Sequence, residues 1–148
     1  MEQKPSRRQA REWAVQMLTA ADLNPPEDVT KFIMDSWVQL ASVDEMIERT
    51  SPSVTKLKVF AEERVVGVLT NLKALDEIIK PLLDGWELYR LGTVERAVIR
   101  MGIWEIDHTD VPPPVVINEA VDLANWFSTP KSRTIVNGVL DRYSHSRG

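Results

Sequence analysis

Residues 7–24 read RRQAREWAVQMLTAADLN. Within them Ala10, Trp13, Ala14, Met17, Leu18 and Ala21 recur at spacings of three and four, which places them on one stripe of a helix. Ser6 stands where an N-cap is needed. Asn24-Pro25-Pro26 stops the run, because neither proline continues a helix. Pro26 is expected to open a second helix at its first position, with Glu27 and Asp28 suiting its positive end. Val29, Phe32, Ile33, Trp37 and Leu40 form that helix's stripe. Residues 41–51 are polar and read as a short helical turn plus loop.

The same period continues toward the C-terminus. A long helical region is predicted from Ser51-Pro52-Ser53 to about Leu83, with Leu57, Phe60, Ala61, Val65, Val68, Leu72, Leu75, Ile79 and Leu82 inward. Asn71 and Pro81 mark breaks in it. A linker covers 83–92, and Thr93 is expected to cap a helix with Val94, Ala97, Val98, Met101 and Trp104 inward. Asp110-Val111-Pro112-Pro113-Pro114 reads as a rigid, extended connector. Ile117, Ala120, Val121, Ala124 and Phe127 line a sixth helix, which Ser128-Thr129-Pro130 ends. Ile135, Val136, Val139, Leu140 and Tyr143 line the last. No segment alternates with period two. The fold class is therefore all-α, a compact bundle of about six to seven helices. Residues 1–148 are expected to form one domain with sub-bundles at roughly 1–83 and 93–148.

Composition narrows the chemistry. The chain has 148 residues and no cysteine, which excludes a disulfide framework, thiolate-held metals and a thiol nucleophile. His108 and His145 are far apart, so no metal site is expected on them. There is no Walker loop, no G-x-G-x-x-G, no G-x-S-x-G and no H-E-x-x-H. Glu62-Glu63 and Asp76-Glu77 are sequence neighbours on a helix and read as solvated surface. No catalytic residue and no cofactor are expected. The charged N-terminus lacks the apolar core of a signal peptide, and no stretch is apolar enough for a membrane span. The expected location is cytoplasmic, with no membrane partner. Trp13, Trp37 and Trp104 sit on apolar stripes and read as core. Trp86 and Trp126 fit no stripe, and Trp126 reads as an exposed contact residue.

The net charge of −4 hides an uneven distribution. Residues 1–11 hold Lys4, Arg7, Arg8 and Arg11 against Glu2. Residues 131–148 hold Lys131, Arg133, Arg142 and Arg147 against Asp141. Between them, residues 22–50 are acidic, with seven Asp and Glu against Lys31 and Arg49. Arginines at a helix start oppose the macrodipole at about 0.3–1 kcal/mol each. Arg7 and Arg11, four apart, also repel. A polyanion would offset this; otherwise the cluster is a frayed, solvated terminus or pairs with a carboxylate elsewhere in the chain. The stretch Lys131-Ser132-Arg133-Thr134 is expected just before the last helix, where basic and hydroxyl side chains join free N–H groups in binding phosphate. Ser132 or Thr134 would serve as its N-cap. Gly138 falls inside a helix pattern, which costs about 1 kcal/mol relative to Ala and predicts a close helix–helix approach there.

Four strings taken together resemble the NusB family of transcription antitermination factors. They are Arg7-Arg8-x-Ala10-Arg11-Glu12-x-Ala14-Val15-Gln16-x-Leu18, Leu91-x-x-Val94-Glu95-Arg96-Ala97-Val98-Ile99-Arg100, Val116-Ile117-Asn118-Glu119-Ala120-Val121-Asp122-Leu123-Ala124, and Ser132-x-x-Ile135-Val136-Asn137-Gly138-Val139-Leu140-Asp141. Segment 22–83 matches only in its helical pattern. The resemblance implies no enzymatic activity. It implies binding of boxA-type single-stranded RNA from ribosomal RNA operon leaders, jointly with ribosomal protein NusE, in a larger complex of Nus factors and RNA polymerase. RNA-binding positions carried over from it are Arg7, Arg8, Arg11, Lys131, Ser132, Arg133, Thr134 and Ile135, and Glu95 is the partner-binding position. Members occur as monomers or as homodimers that mask the RNA face.

This chain departs from the family pattern at Gln9, where a basic residue is frequent. It departs again at Thr19 and Ile135, where aromatics are frequent, and at Lys131, in a region often acidic. Two other readings follow from the residues. One is a helical protein–protein adaptor with weak or no RNA binding. The other is a remnant of the N-terminal domain of an RNA cytosine methyltransferase. The basic ends are expected to meet in one RNA-facing patch.

Overall fold

The computed structural model describes residues 4–147; Glu2 of the N-terminal charge cluster lies outside them. Among the described residues there are seven α-helices, three short 3-10 turns and no strand. The chain forms two compact units, Met1–Val66 and Gly67–Gly148.

The first unit holds α1 (Arg7–Leu23), α2 (Val29–Ala41), a 3-10 turn (Glu45–Glu48) and most of α3 (Pro52–Thr70). Every residue of the predicted α1 stripe is buried. Ser6 caps α1, its Oγ accepting from the Gln9 N–H at 3.2 Å. Helix α2 begins at Val29 rather than at Pro26. The Asp28 carboxylate accepts from the Lys31 N–H at 3.0 Å, and a capping carboxylate satisfies the orphan donors that a proline there cannot. Asp44, from the polar loop, ties the unit together. It accepts from Trp13 Nε1 at 2.9 Å and from Gln9 Nε2 at 3.2 Å. Trp13 meets Trp37 edge-on at 5.5 Å, and Trp37 donates to Glu62 at 2.7 Å. Glu62 is thus a hydrogen-bond acceptor rather than idle surface.

The second unit continues from the end of α3 through α4 (Leu72–Ile79), 3-10 turns at Lys80–Leu82 and Leu88–Arg90, α5 (Thr93–His108), α6 (Pro113–Phe127) and α7 (Pro130–Ser146). Asn71 is the break between α3 and α4. Helices α5, α6 and α7 pack on one another and α4 packs on α5. The contact that fixes α4 is unexpected from sequence. Asp76 is buried and accepts a two-pronged bond from Arg100, at 2.8 and 3.0 Å. It is not solvated surface, because a buried guanidinium needs a carboxylate of matching geometry. This pair holds α4 to α5.

Three helix starts differ from expectation. Gly92 is the N-cap of α5 and Thr93 its first helical residue. Pro113 and Pro114 lie inside α6, in the first turn, where a missing N–H costs nothing, so the extended connector stops at Pro112. Pro130 opens α7 in the same way, with Thr129 as N-cap. Lys131–Ile135 are therefore within the helix, and neither Ser132 nor Thr134 caps it. Gly138 makes no close approach: an added Cβ would meet only Arg142, at 3.6 Å. The helical glycines that are tight are Gly67, seated against the Trp104 ring, and Gly102, where a Cβ would lie 2.8 Å from Leu140.

Candidate nucleic-acid interface

At the start of α1 the first turn carries no acidic residue. Arg7 is exposed, Arg8 half-buried and Arg11 buried. Three guanidinium groups converge on one ring, that of Phe60 in α3. Arg7 lies 5.4 Å from its centroid, Arg11 5.1 Å and Arg64 3.3 Å. The negative ring face attracts each cation and draws together charges that otherwise repel. Arg64 is buried, and its Nη1 donates to the Phe60 carbonyl at 3.2 Å. Phe60 and Arg64 sit four apart on one helix, so spacing hinted at their contact. Their convergence with Arg7 and Arg11 needed the fold. Nearby, burial pushes the Glu12 carboxyl up from its usual range; Arg8 opposes the shift and Asp44 adds to it.

The start of α7 also lacks acidic residues in its first turn. Lys131, Arg133 and Thr134 are exposed there, and Ile135 is half-buried. Ser132 is different. It is 1% exposed, and its hydroxyl donates to Glu95 Oε1 at 2.6 Å. Ser128 Oγ lies 3.3 Å from the same oxygen and 2.9 Å from Ser132 Oγ. The structure thereby joins two positions expected to do separate work, Glu95 and Ser132, in one network that fastens α7 to α5. Lys131 Nζ sits 5.7 Å from the Trp86 ring centroid. Each helix start thus presents cations to solvent, the chemistry that contacts phosphate. No group of three or more His, Cys, Asp or Glu among the described residues is arranged to hold a metal, and none of their helices is long and apolar enough to cross a membrane.

Comparisons with known proteins find relatives of this chain. A family model described as the NusB family matches residues 8–145. The transcription antitermination protein NusB of Nitratiruptor sp. is 38% identical over 136 residues, covering 92% of this chain and 89% of that protein. The NusB of Sorangium cellulosum is 34% identical, covering 97% and 94%. Among solved structures, T. maritima NusB superposes with a TM-score of 0.78 at 29% identity, covering 97% of this chain and 93% of that one. A structure described as antitermination factors NusB and NusE in complex with dsRNA superposes with a TM-score of 0.75 at 26% identity, covering 95% and 96%. The chain belongs to the NusB family of transcription antitermination proteins, which are not enzymes.

Proposed function

We propose that this protein binds boxA-type single-stranded RNA of ribosomal RNA operon leaders together with ribosomal protein NusE. It then joins other Nus factors on RNA polymerase in the cytoplasm to suppress termination. The observation that carries the reading is the pair of helix starts bearing exposed cations without first-turn acids, Arg7 on α1 and Lys131 with Arg133 on α7. A relative solved with NusE and dsRNA supports the binding of RNA and NusE. In this reading Arg7, Arg8, Lys131, Arg133 and Thr134 face the RNA, and Ile135 offers an apolar edge on α7. Arg11 and Ser132, both buried, hold their helix starts in place. Glu95 sets the α7 start from below and presents the partner-docking face.

Titration of boxA RNA against a scrambled RNA, with and without NusE and at several salt concentrations, tests this. Tighter binding of boxA is expected, strengthened by NusE and falling with salt. Equal affinity for both RNAs under both conditions would overturn it. The burial of Arg11 and the replacement of an aromatic by Ile135 favour a second reading, a protein adaptor with weak RNA binding. Arg7→Glu combined with Arg8→Glu separates the two, since unchanged antitermination would favour the adaptor.

A further inference from the structure

The exposed indole of Trp86 is not accounted for by packing. It is 49% exposed, in the segment between α4 and α5. Asp84 and Gly85 both take left-handed backbone, at φ +50° and +89°, and the Trp86 N–H donates to the Leu83 carbonyl at 3.0 Å. Asp84, Gly85, Trp86, Glu87 and Arg90 line an open hollow of about 340 Å³. Lys131, at the start of α7, stands 5.7 Å from the indole centroid. An exposed aromatic face, the Lys131 cation beside it and two carboxylates, Glu87 lying 3.9 Å from Arg90, form a recognisable chemistry at a shallow hollow. The ring offers stacking to a flat heterocycle, the cation offers a phosphate contact, and the carboxylates accept N–H groups while repelling phosphate.

We propose that Trp86 is a base-stacking residue: one unpaired nucleobase of the bound RNA lies on its indole, with Lys131 on the adjoining phosphate and Asp84 or Glu87 accepting from the base's amino or imino group. This rests on the RNA-binding reading above and extends that surface from the start of α7 onto the α4–α5 segment. It also supplies an aromatic contact in a chain that carries isoleucine at position 135.

The test uses the full chain and a single-stranded boxA-type RNA, intact and with an abasic site at each position in turn, with and without NusE. Trp86→Ala is expected to weaken binding about tenfold, the scale of one lost stacking contact, and Trp86→Phe to keep most of the affinity. The salt dependence should be unchanged in Trp86→Ala, whereas Arg133→Ala should lower its slope by about 1. One abasic position should cost the wild type affinity but cost Trp86→Ala nothing further. Thermal melting should show both Trp86 variants folded. Wild-type affinity in Trp86→Ala overturns this proposal and leaves the RNA-binding reading standing. A loss seen only with NusE, at no particular base, overturns it too and assigns Trp86 to a protein contact. No RNA binding by the wild type overturns both readings.

Discussion

At the start of α1 the guanidinium groups of Arg7 and Arg11 rest on the Phe60 ring, whereas at the start of α7 the helix is held by the Glu95–Ser132 hydrogen bond and its cations point outward. The two starts are alike in composition, each basic and each without acids in the first turn. They differ in what fixes them. A cation over a ring tolerates small movements, because the attraction is broad and weakly directional. A buried hydroxyl on a carboxylate does not, because losing either partner strands the other. The N-caps differ as well. Ser6 bonds the Gln9 N–H, while Thr129 makes no side-chain cap bond, and Pro130 pre-forms the first turn instead.

This contrast can be broken from either side. The largest effect is expected for Phe60→Ala, which removes the ring shared by three arginines. Urea unfolding should show a loss of about 3 kcal/mol, toward the low end for a truncated aromatic because Phe60 is only half-buried. Phe60→Tyr should restore most of it, and an unchanged stability in Phe60→Ala would show that the arginines have other anchors. Next is Glu95→Ala, expected to cost about 2 kcal/mol by leaving the buried Ser132 hydroxyl without its main acceptor. Adding Ser132→Ala should recover part of that loss, and strict additivity would disprove the coupling. The smallest effect compares the caps. Ser6→Ala should cost about 1 kcal/mol and Thr129→Ala only a few tenths, by thermal melting. Equal costs would mean the two helices start in the same way.

The legibility of these regions follows the same division. The α1 stripe was readable because burial follows a period of 3.6 wherever a helix has one apolar face, and all six of its residues are buried. Helix starts were less readable. Pro26 and Pro113 look alike in sequence, yet only Pro113 opens a helix, since at α2 the Asp28 cap competes and wins. Asp76 read as surface because its partner, Arg100, is 24 residues away on another helix. No local pattern reveals such a pair. Gly138 looks in sequence like a tight approach, yet Gly67 and Gly102 make the tight approaches, because a glycine's neighbour is set by packing and not by its own helix.

The sequence by itself determined the all-α class, the absence of thiol chemistry, the two basic ends and the family strings. These depend on composition, on order and on a periodicity that backbone geometry imposes locally. Tertiary structure alone decided which charged, hydroxyl and aromatic residues are available. Arg11 and Ser132 were drawn inward, Arg7 and Arg133 left outside, and Trp86 placed beside Lys131. The physical reason is that the energy of a charge or a hydroxyl depends on what surrounds it, and its surroundings come from distant parts of the chain.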